Sequence, residues 1–280
     1  MRDLNLLPGE AFTATGSLAE KVIDKISIAV GWLATPKGDK KYQLESENYL
    51  IEQIINDTHM PPLAKAASIS NVRKLLKEYK NQQNIFEMAI ESLTCDARPE
   101  DVDDDWLSYF FEKAKLVSKN DIAIIFGKLL AEEISNPGTV SKSLIHILSI
   151  IDRDDAKAFV SLANFCVIIE GLCFPIIYTE EIALYAQNDL NMDEIINLVD
   201  IGLIQRDEFP LSIEISNNTD IIYFDSKIDI GNVNKICIGN IILTKAGREL
   251  MSVITDKRKI EEFAEFISSR ITKEFGGILD

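Results

Sequence analysis

The chain has 280 residues, of which 46% are hydrophobic and 26% are charged, and its formal net charge is −16. This length and composition predict a soluble globular protein large enough for two domains, and they exclude a disordered chain. A field of negative sign repels phosphates, so binding to nucleic acid is not expected unless basic residues cluster locally.

Cysteine and histidine are too sparse to suggest a metal centre. The four cysteines are dispersed without a Cys-x-x-Cys motif, and the only histidines are His59 and His146. This pattern predicts no metal site and no cofactor, and it is typical of reduced thiols in the cytosol. Residues 1–12 lack the features of a secretory signal, so we expect a cytoplasmic protein without a membrane span.

The first predicted helix has a broad apolar stripe. Its members are Leu18, Val22, Ile26, Val30, Trp32 and Leu33. Their helical spacing predicts a helix that docks on the core or on a partner. A membrane-surface helix is the alternative, although only two lysines lie on the polar side. Because so broad an apolar patch is seldom left exposed on a monomer, we expect residues 18–33 to mediate self-association or docking. The polar residues 35–47 predict a linker.

A long helix is predicted to begin at Pro61 and Pro62 and to end near Leu93. Its seam residues, in heptad steps of four and three from Val72 onward, predict packing against another helix. The one basic cluster of the chain lies on this helix and consists of Arg73, Lys74, Lys77 and Lys80. These side chains could pair with the acidic residues 100–105, which we favour, or contact phosphate or an acidic partner.

Five of the six residues from 100 to 105 are acidic, which suggests either a metal or catalytic site or the start of a helix. Carboxylates that follow one another splay around a helix start, whereas metal sites usually need carboxylates from separated segments. Asp103, followed by apolar residues from Trp106 onward, therefore predicts an N-cap. The same chemistry predicts helix starts at Ser118, Ser141, Asp152, Thr179, Asn191 and Thr244.

The second half of the chain predicts a winged-helix-like domain. A helix over 152–170 is followed by a strand at 174–178, two helices, strands between 202 and 243, and a last helix. The third helix, at 191–201, has three acidic residues and no basic residue, so we do not expect it to read DNA. The chain also lacks a Gly-x-Ser-x-Gly elbow and a phosphate-binding loop, so we do not expect an enzyme.

Several motifs in residues 99–152 resemble a bacterial family of uncharacterised proteins, the DUF2806 family. They are the acidic stretch before Trp106, the Phe-x-x-x-Lys-x-Val-Ser run, Lys128-Leu-Leu-Ala-x-Glu, and the Asn-Pro-Gly-Thr-x-Ser turn. With Asn84 and the closing Leu-Thr-x-x-Gly-x-x-Leu, the resemblance covers residues 60–255. It implies a bacterial protein, associated with prophages or phage defence, and it supplies no catalytic residues.

These features predict a mainly α fold with a smaller α+β part. The expected divisions are an amphipathic helix and linker at 1–47, a helical domain at 48–151, a winged-helix-like domain at 152–255 and a C-terminal helix at 256–280. We expect a non-enzymatic protein that acts through protein–protein contacts or self-association, with no identifiable small-molecule ligand. The alternative is a nucleic-acid-associated regulator that uses the winged helix or the basic face of the 62–93 helix.

Overall fold

The computed structural model describes residues 16–32, 40–93, 97–216, 219–228 and 234–276. It is mainly helical with a smaller antiparallel sheet part, which confirms the predicted fold class. The chain divides into two compact units, an N-terminal unit (1–149) and a C-terminal unit (150–280). Within the described ranges, no helix combines the length and the apolar character that crossing a membrane requires.

The N-terminal unit is helical throughout its described part. Its elements are α1 (Gly16–Val30), α2 (Lys40–Asn56), α3 (Pro62–Ser92), a short 3-10 helix (Pro99–Asp101), α4 (Asp104–Ala114), α5 (Asn120–Ser135) and α6 (Lys142–Ile150). Helix α3 packs along α5, and α4 contacts α1 and α3. Gly127 permits the close approach of α5 to α3, because a Cβ atom there would lie 2.6 Å from Cβ of Met88.

The predicted linker at 35–47 is partly wrong. Helix α2 already includes residues 40–47, and residues 35–39 lie outside the described part. Polar residues therefore form a helix here, and α2 packs against α3 as the first half of a helical hairpin. Tertiary packing thus overrides the local composition.

The C-terminal unit combines helices with two antiparallel sheets. Its elements are α7 (Arg153–Ala163), β1 (Cys166–Ile169), β2 (Leu172–Pro175), a 3-10 helix (Thr179–Glu181), α8 (Ile182–Ala186), α9 (Met192–Asp200), β3 (Ile204–Glu214), β4 (Ile221–Tyr223), β5 (Ser226–Ile228), β6 (Lys235–Leu243), α10 (Lys245–Val253) and α11 (Glu261–Gly276). One sheet has the strand order β2-β1-β4-β5, and the other pairs β3 with β6. A single parallel bridge joins Ile177 to Gly239.

A hairpin replaces the C-terminal end of the helix that we predicted for 152–170. Helix α7 ends at Ala163, and β1 pairs with β2 across a tight turn at Glu170 and Gly171. Both turn residues have positive φ, 50° and 79°, which is the geometry that two-residue hairpins favour. The apolar run from Cys166 to Ile169 fits a buried helix as well as a strand, so its periodicity alone is ambiguous.

The C-terminal helix α11 belongs to the core of its unit and does not form a separate segment. Phe263 of α11 is fully buried and packs edge-on against Phe165, with ring centroids 5.0 Å apart. It also meets the ring of Tyr223, whose hydroxyl donates to the carbonyl oxygen of Asn164 at 2.8 Å. The boundary predicted at residue 256 is therefore not a boundary between compact units.

Most predicted helix starts are confirmed. Side chains cap the helices at five of the predicted positions: Asp103, Ser141, Asp152, Asn191 and Thr244. The predictions for Ser118 and Thr179 are wrong. Helix α5 begins after Lys119 without a side-chain cap, and Thr179 lies inside a 3-10 helix.

Candidate interaction surface

The first half of α3 and residues 45–56 of α2 form a hairpin with no buried residue. We call residues 45–80, from α2 to the middle of α3, the arm. Not one residue from 45 to 82 is buried, whereas Gln83, Ile85, Phe86 and Ala89 in the second half of α3 are. The arm thus lies outside the core of the N-terminal unit, whereas the second half of α3 forms part of that core.

Large apolar side chains of the arm point into solvent. The most exposed are Leu63 at 83%, Tyr49 at 61%, Leu75 at 55% and Ile55 at 53%. The residues along the seam between α2 and α3 are only half-buried: Ile51, Ile54, Ile69, Val72 and Leu76. A two-helix hairpin covers such a seam from one side only, and a third or fourth helix would complete the coverage.

Within the arm the α2 side is acidic and the α3 side is basic, whereas Lys40 and Lys41, at the start of α2, lie outside the arm. Residues 45–57 contain four acidic residues and no basic residue, for a net charge of −4. Residues 63–80 contain five basic residues and only Glu78 as an acid, for a net charge of +4. In a chain of net charge −16, so regular a separation of sign on two neighbouring helices gives each helix a distinct electrostatic surface.

The predicted basic cluster lies on the arm, but its partners are not those we favoured. Arg73 pairs with Glu47 of α2 at 3.6 Å, and Lys74 pairs with Glu78 at 3.9 Å. The acidic stretch instead pairs with other cations, because Asp104 meets Lys25 at 2.7 Å. The predicted pairing between the basic cluster and residues 100–105 is therefore wrong, since the cluster projects with the arm.

Two side-chain amides bind the base of the arm to the C-terminal end of α4. The amide of Asn81 donates to the carbonyl oxygen of Lys115 at 2.7 Å, and that of Gln82 donates to the carbonyl oxygen of Phe111 at 3.0 Å. The Phe111 carbonyl oxygen accepts this bond in addition to the one from the backbone N–H of Lys115, and the Lys115 carbonyl oxygen lies at the C-terminal end of α4, where helical donors run out. One turn earlier, Tyr79 stacks on Trp32 with ring centroids 5.8 Å apart. The attachment thus begins at Tyr79.

The apolar stripe predicted to dock on a partner is largely covered within the N-terminal unit. Val22, Ile26 and Trp32 are buried, because α1 packs against α4. The ring of Trp32 also meets Phe86 and Phe111. Leu18 and Val30 are half-buried, and Leu33 lies outside the described residues. Helix α1 therefore offers little free apolar surface, since its stripe completes the core.

The acidic stretch begins a helix, as predicted. The Asp103 carboxylate accepts from the backbone N–H of Trp106 at 2.7 Å, and Asp104 pairs with Lys25. Val102, before the cap, and Leu107, in the first turn and a half of α4, are both buried, which is typical of a hydrophobic staple. In the part of the chain that the structure describes, no three His, Cys, Asp or Glu side chains are arranged to hold a metal ion.

The motifs that carry the family resemblance meet at one buried residue, Val140. The carboxylate of Glu133, which is itself buried, accepts from the backbone N–H groups of Gly138 and Val140 at 2.7 and 2.8 Å. The indole N–H of Trp106 donates to the Val140 carbonyl oxygen at 2.7 Å. These hydrogen bonds give a structural reason for the joint occurrence of the Asn-Pro-Gly-Thr-x-Ser turn, Lys128-Leu-Leu-Ala-x-Glu and Trp106. Each motif satisfies a buried polar group of another.

The C-terminal unit contains a pair of neighbouring thiols. Cys166 and Cys173 lie on the paired strands β1 and β2, and both are free. Burial raises the pKa of the Cys166 thiol, whereas the hydrogen bond from Cys166 lowers the pKa of the Cys173 thiol. Sequence analysis missed this pair, since residues seven positions apart become neighbours only through the hairpin.

The third helix of the predicted winged-helix-like domain, α9, is acidic on its exposed side. Asp193, Asn197 and Asp200 of α9 are exposed, together with Ile196. The buried side of α9, with Ile195 and Leu198, faces the unit's core. This helix could therefore contact a basic or apolar surface, but its charge opposes contact with phosphates.

Comparison with known proteins supports the resemblance that the motifs indicate. A family model described as "Protein of unknown function (DUF2806)" matches residues 69–268. The match includes the base of the arm, both ends of the Val140 network and most of the C-terminal unit. No curated protein and no solved structure matches the chain significantly.

Proposed function

We propose that this chain, which belongs to the DUF2806 family of proteins of unknown function, is a non-enzymatic cytosolic protein that assembles with a protein partner through the arm. The observation that supports this proposal most is the absence of any buried residue from 45 to 82. Two long helices with exposed Tyr49, Leu63 and Leu75 need additional contacts to bury their apolar surface.

The energetics of helices favour a partner for the arm. Isolated helices are marginal in water, and most helical stability in proteins comes from burying an apolar face. Between residues 45 and 80 the contacts of the arm are mainly those of α2 with α3, and near the base Tyr79 stacks on Trp32 and Glu78 lies close to Lys115. A partner that covers the half-buried seam would stabilise the hairpin, because it would bury the apolar side chains that one hairpin leaves partly exposed.

The polar groups of the shared motifs support a role outside catalysis. Glu133 is satisfied by two backbone N–H groups, and Asp103 by one. Groups that are committed to caps and turns in this way stabilise the fold. We therefore assign these motifs to the architecture that holds the arm.

A second candidate function rests on two cations of α3, the exposed Lys77 and the half-buried Lys80. Lys77 and Lys80 form no ion pair with any residue in the described ranges, so they could contact phosphates. We propose further that the C-terminal unit is a winged-helix variant, from its order of helices, the bridge at Ile177 and the antiparallel pairing of β3 with β6. The acidic α9 makes direct reading of DNA by it unfavourable. Micromolar or tighter binding to duplex DNA that weakens with salt and is lost in Lys77→Glu would favour this second function.

The arm can be tested by removing its exposed apolar groups. The triple variant Tyr49→Ser, Leu63→Ser, Leu75→Ser changes residues that are at least 55% exposed, so the fold should be retained. Tagged wild type and variant would be compared for capture of partners from the native host. The control variant Ile28→Ser, Leu116→Ser removes exposed apolar groups from α1 and from the end of α4. We expect capture to be lost only in the arm variant; equal capture by all three proteins would reject the proposal.

A further inference from the structure

We infer that the partner of the arm is the arm of a second copy of this chain. This inference rests on the proposed function and names its partner. Two hairpins would form a four-helix bundle around a shared two-fold axis that runs along the arms. The same surface of each copy would then be used, as in other symmetric dimers.

Charge selects one arrangement of the four helices. If the helices follow one another around the bundle as α2, α3, α2 of the second copy and α3 of the second copy, each acidic helix lies between two basic ones. The net charges of −4 and +4 then alternate around the bundle. The other order would place α2 beside α2 and α3 beside α3, where like charges repel.

Chain direction agrees with the same order. The Glu47–Arg73 pair and the hydrogen bond from Lys65 Nζ to the carbonyl oxygen of Ile55 show that α2 and α3 are antiparallel. In the alternating order every neighbouring pair is antiparallel, which is the common geometry of four-helix bundles. Glu45 of one copy would then lie at the level of Lys74 and Lys77 of the other, because both levels are about 15 residues from the turn at 57–61.

The arm also offers the free charges and apolar groups that such a bundle needs. Glu52 and Lys77 are exposed and form no ion pair with described residues. The half-buried Ile51, Ile54 and Val72 leave part of each side chain uncovered along the seam. A second hairpin laid over this seam would bury these groups and Leu75, and it would bring cations of α3 beside the acidic α2.

A charge-swap experiment tests the inference. The α2 variant is Glu45→Lys, Glu52→Lys, and the α3 variant is Lys74→Glu, Lys77→Glu; both leave the Glu47–Arg73 pair in place. Sedimentation velocity of the full chain would follow the monomer–dimer equilibrium between about 1 and 200 µM, a range that brackets weak dimers. We expect each variant alone to raise the dimer Kd by about tenfold or more, and an equimolar mixture of the two to restore dimers.

Matched controls have the same change in net charge at exposed sites outside the arm. These are Glu20→Lys, Asp24→Lys for the α2 variant and Lys119→Glu, Lys142→Glu for the α3 variant. We expect both controls to dimerise like wild type. A wild type that stays monomeric, or variants that fail to complement each other, would overturn the second-copy inference.

The two proposals fail in different ways. If wild type is monomeric while the Tyr49, Leu63 and Leu75 variant loses a host partner, the arm is an interaction surface for another protein and only the second-copy inference is wrong. If wild type is monomeric and the arm variant captures the same proteins as wild type, both proposals are wrong.

Discussion

Glu47 of α2 and Arg73 of α3 meet across the arm, with Oε1 and Nε 3.6 Å apart. The Arg73 side chain is 64% exposed, so the pair adds at most about 1 kcal/mol to stability. The pair marks the register of α2 against α3, and in this register Glu52 and Lys77 remain exposed. The arm therefore presents charge that the hairpin alone does not neutralise.

Asp103→Ala should lower the free energy of unfolding by about 1 kcal/mol, because it removes the N-cap of α4. Urea unfolding measures this change. Magnesium, manganese and calcium should leave the melting temperature of wild type and variant equally unaffected. A metal that raises the melting temperature of wild type but not of the variant would show that the acidic stretch is a cation site.

Glu133→Ala should lower the free energy of unfolding by about 2 kcal/mol, since it leaves the buried backbone N–H of Val140 and the partly buried N–H of Gly138 without an acceptor. The neighbouring variant Glu132→Ala removes a hydrogen bond with Asn136 at the surface and should lower it by less than about 1 kcal/mol. Equal effects of the two substitutions in urea unfolding would contradict a structural role for the shared motif.

Gly247→Ala should destabilise the C-terminal unit by about 2 kcal/mol or more, because the new Cβ would lie 2.0 Å from the carbonyl oxygen of Leu203. Thr244 also donates to that carbonyl at 3.1 Å, so the backbone there has little freedom to move. Ser252→Ala, at an exposed position of the same helix, is the control. Unchanged thermal unfolding of Gly247→Ala would show that α10 is not held in this contact.

Cys173 should react with iodoacetamide faster than Cys166 or Cys237, since it is the more accessible thiol and its pKa is lowered. A lowered pKa means that the thiolate persists to lower pH, so the midpoint of its rate–pH profile should lie below that of an unperturbed cysteine. Cys166→Ala removes the hydrogen-bond donor and should move that midpoint upward. A midpoint that does not move would show that Cys166 does not stabilise the thiolate.

Local chemistry explains the parts of the fold that could be predicted. Caps at Asp103, Asp152 and Asn191 depend on one side chain and the next few backbone N–H groups, so the sequence alone suffices. The hairpin at 166–175 could not be distinguished from a helix, because a run of apolar residues bounded by Gly171 fits both.

The candidate site could be predicted only in part, because exposure depends on which helix covers which. The basic cluster on α3 and the apolar stripe on α1 are both visible in the sequence. Periodicity does not reveal that α4 covers Val22 and Ile26, or that α3 is buried only from Gln83 onward. The separation of charge between α2 and α3 was a signal that could have located the arm.

Amide hydrogen exchange of the full chain at low and high protein concentration tests the central claim most directly. At about 1 µM, where weak dimers dissociate, amides of residues 45–80 should exchange much faster than those of 83–92 in the same helix. At about 200 µM the arm should become protected while 83–92 changes little. If the arm is protected as strongly as residues 83–92 at both concentrations, its coverage does not depend on assembly, and the central claim is contradicted.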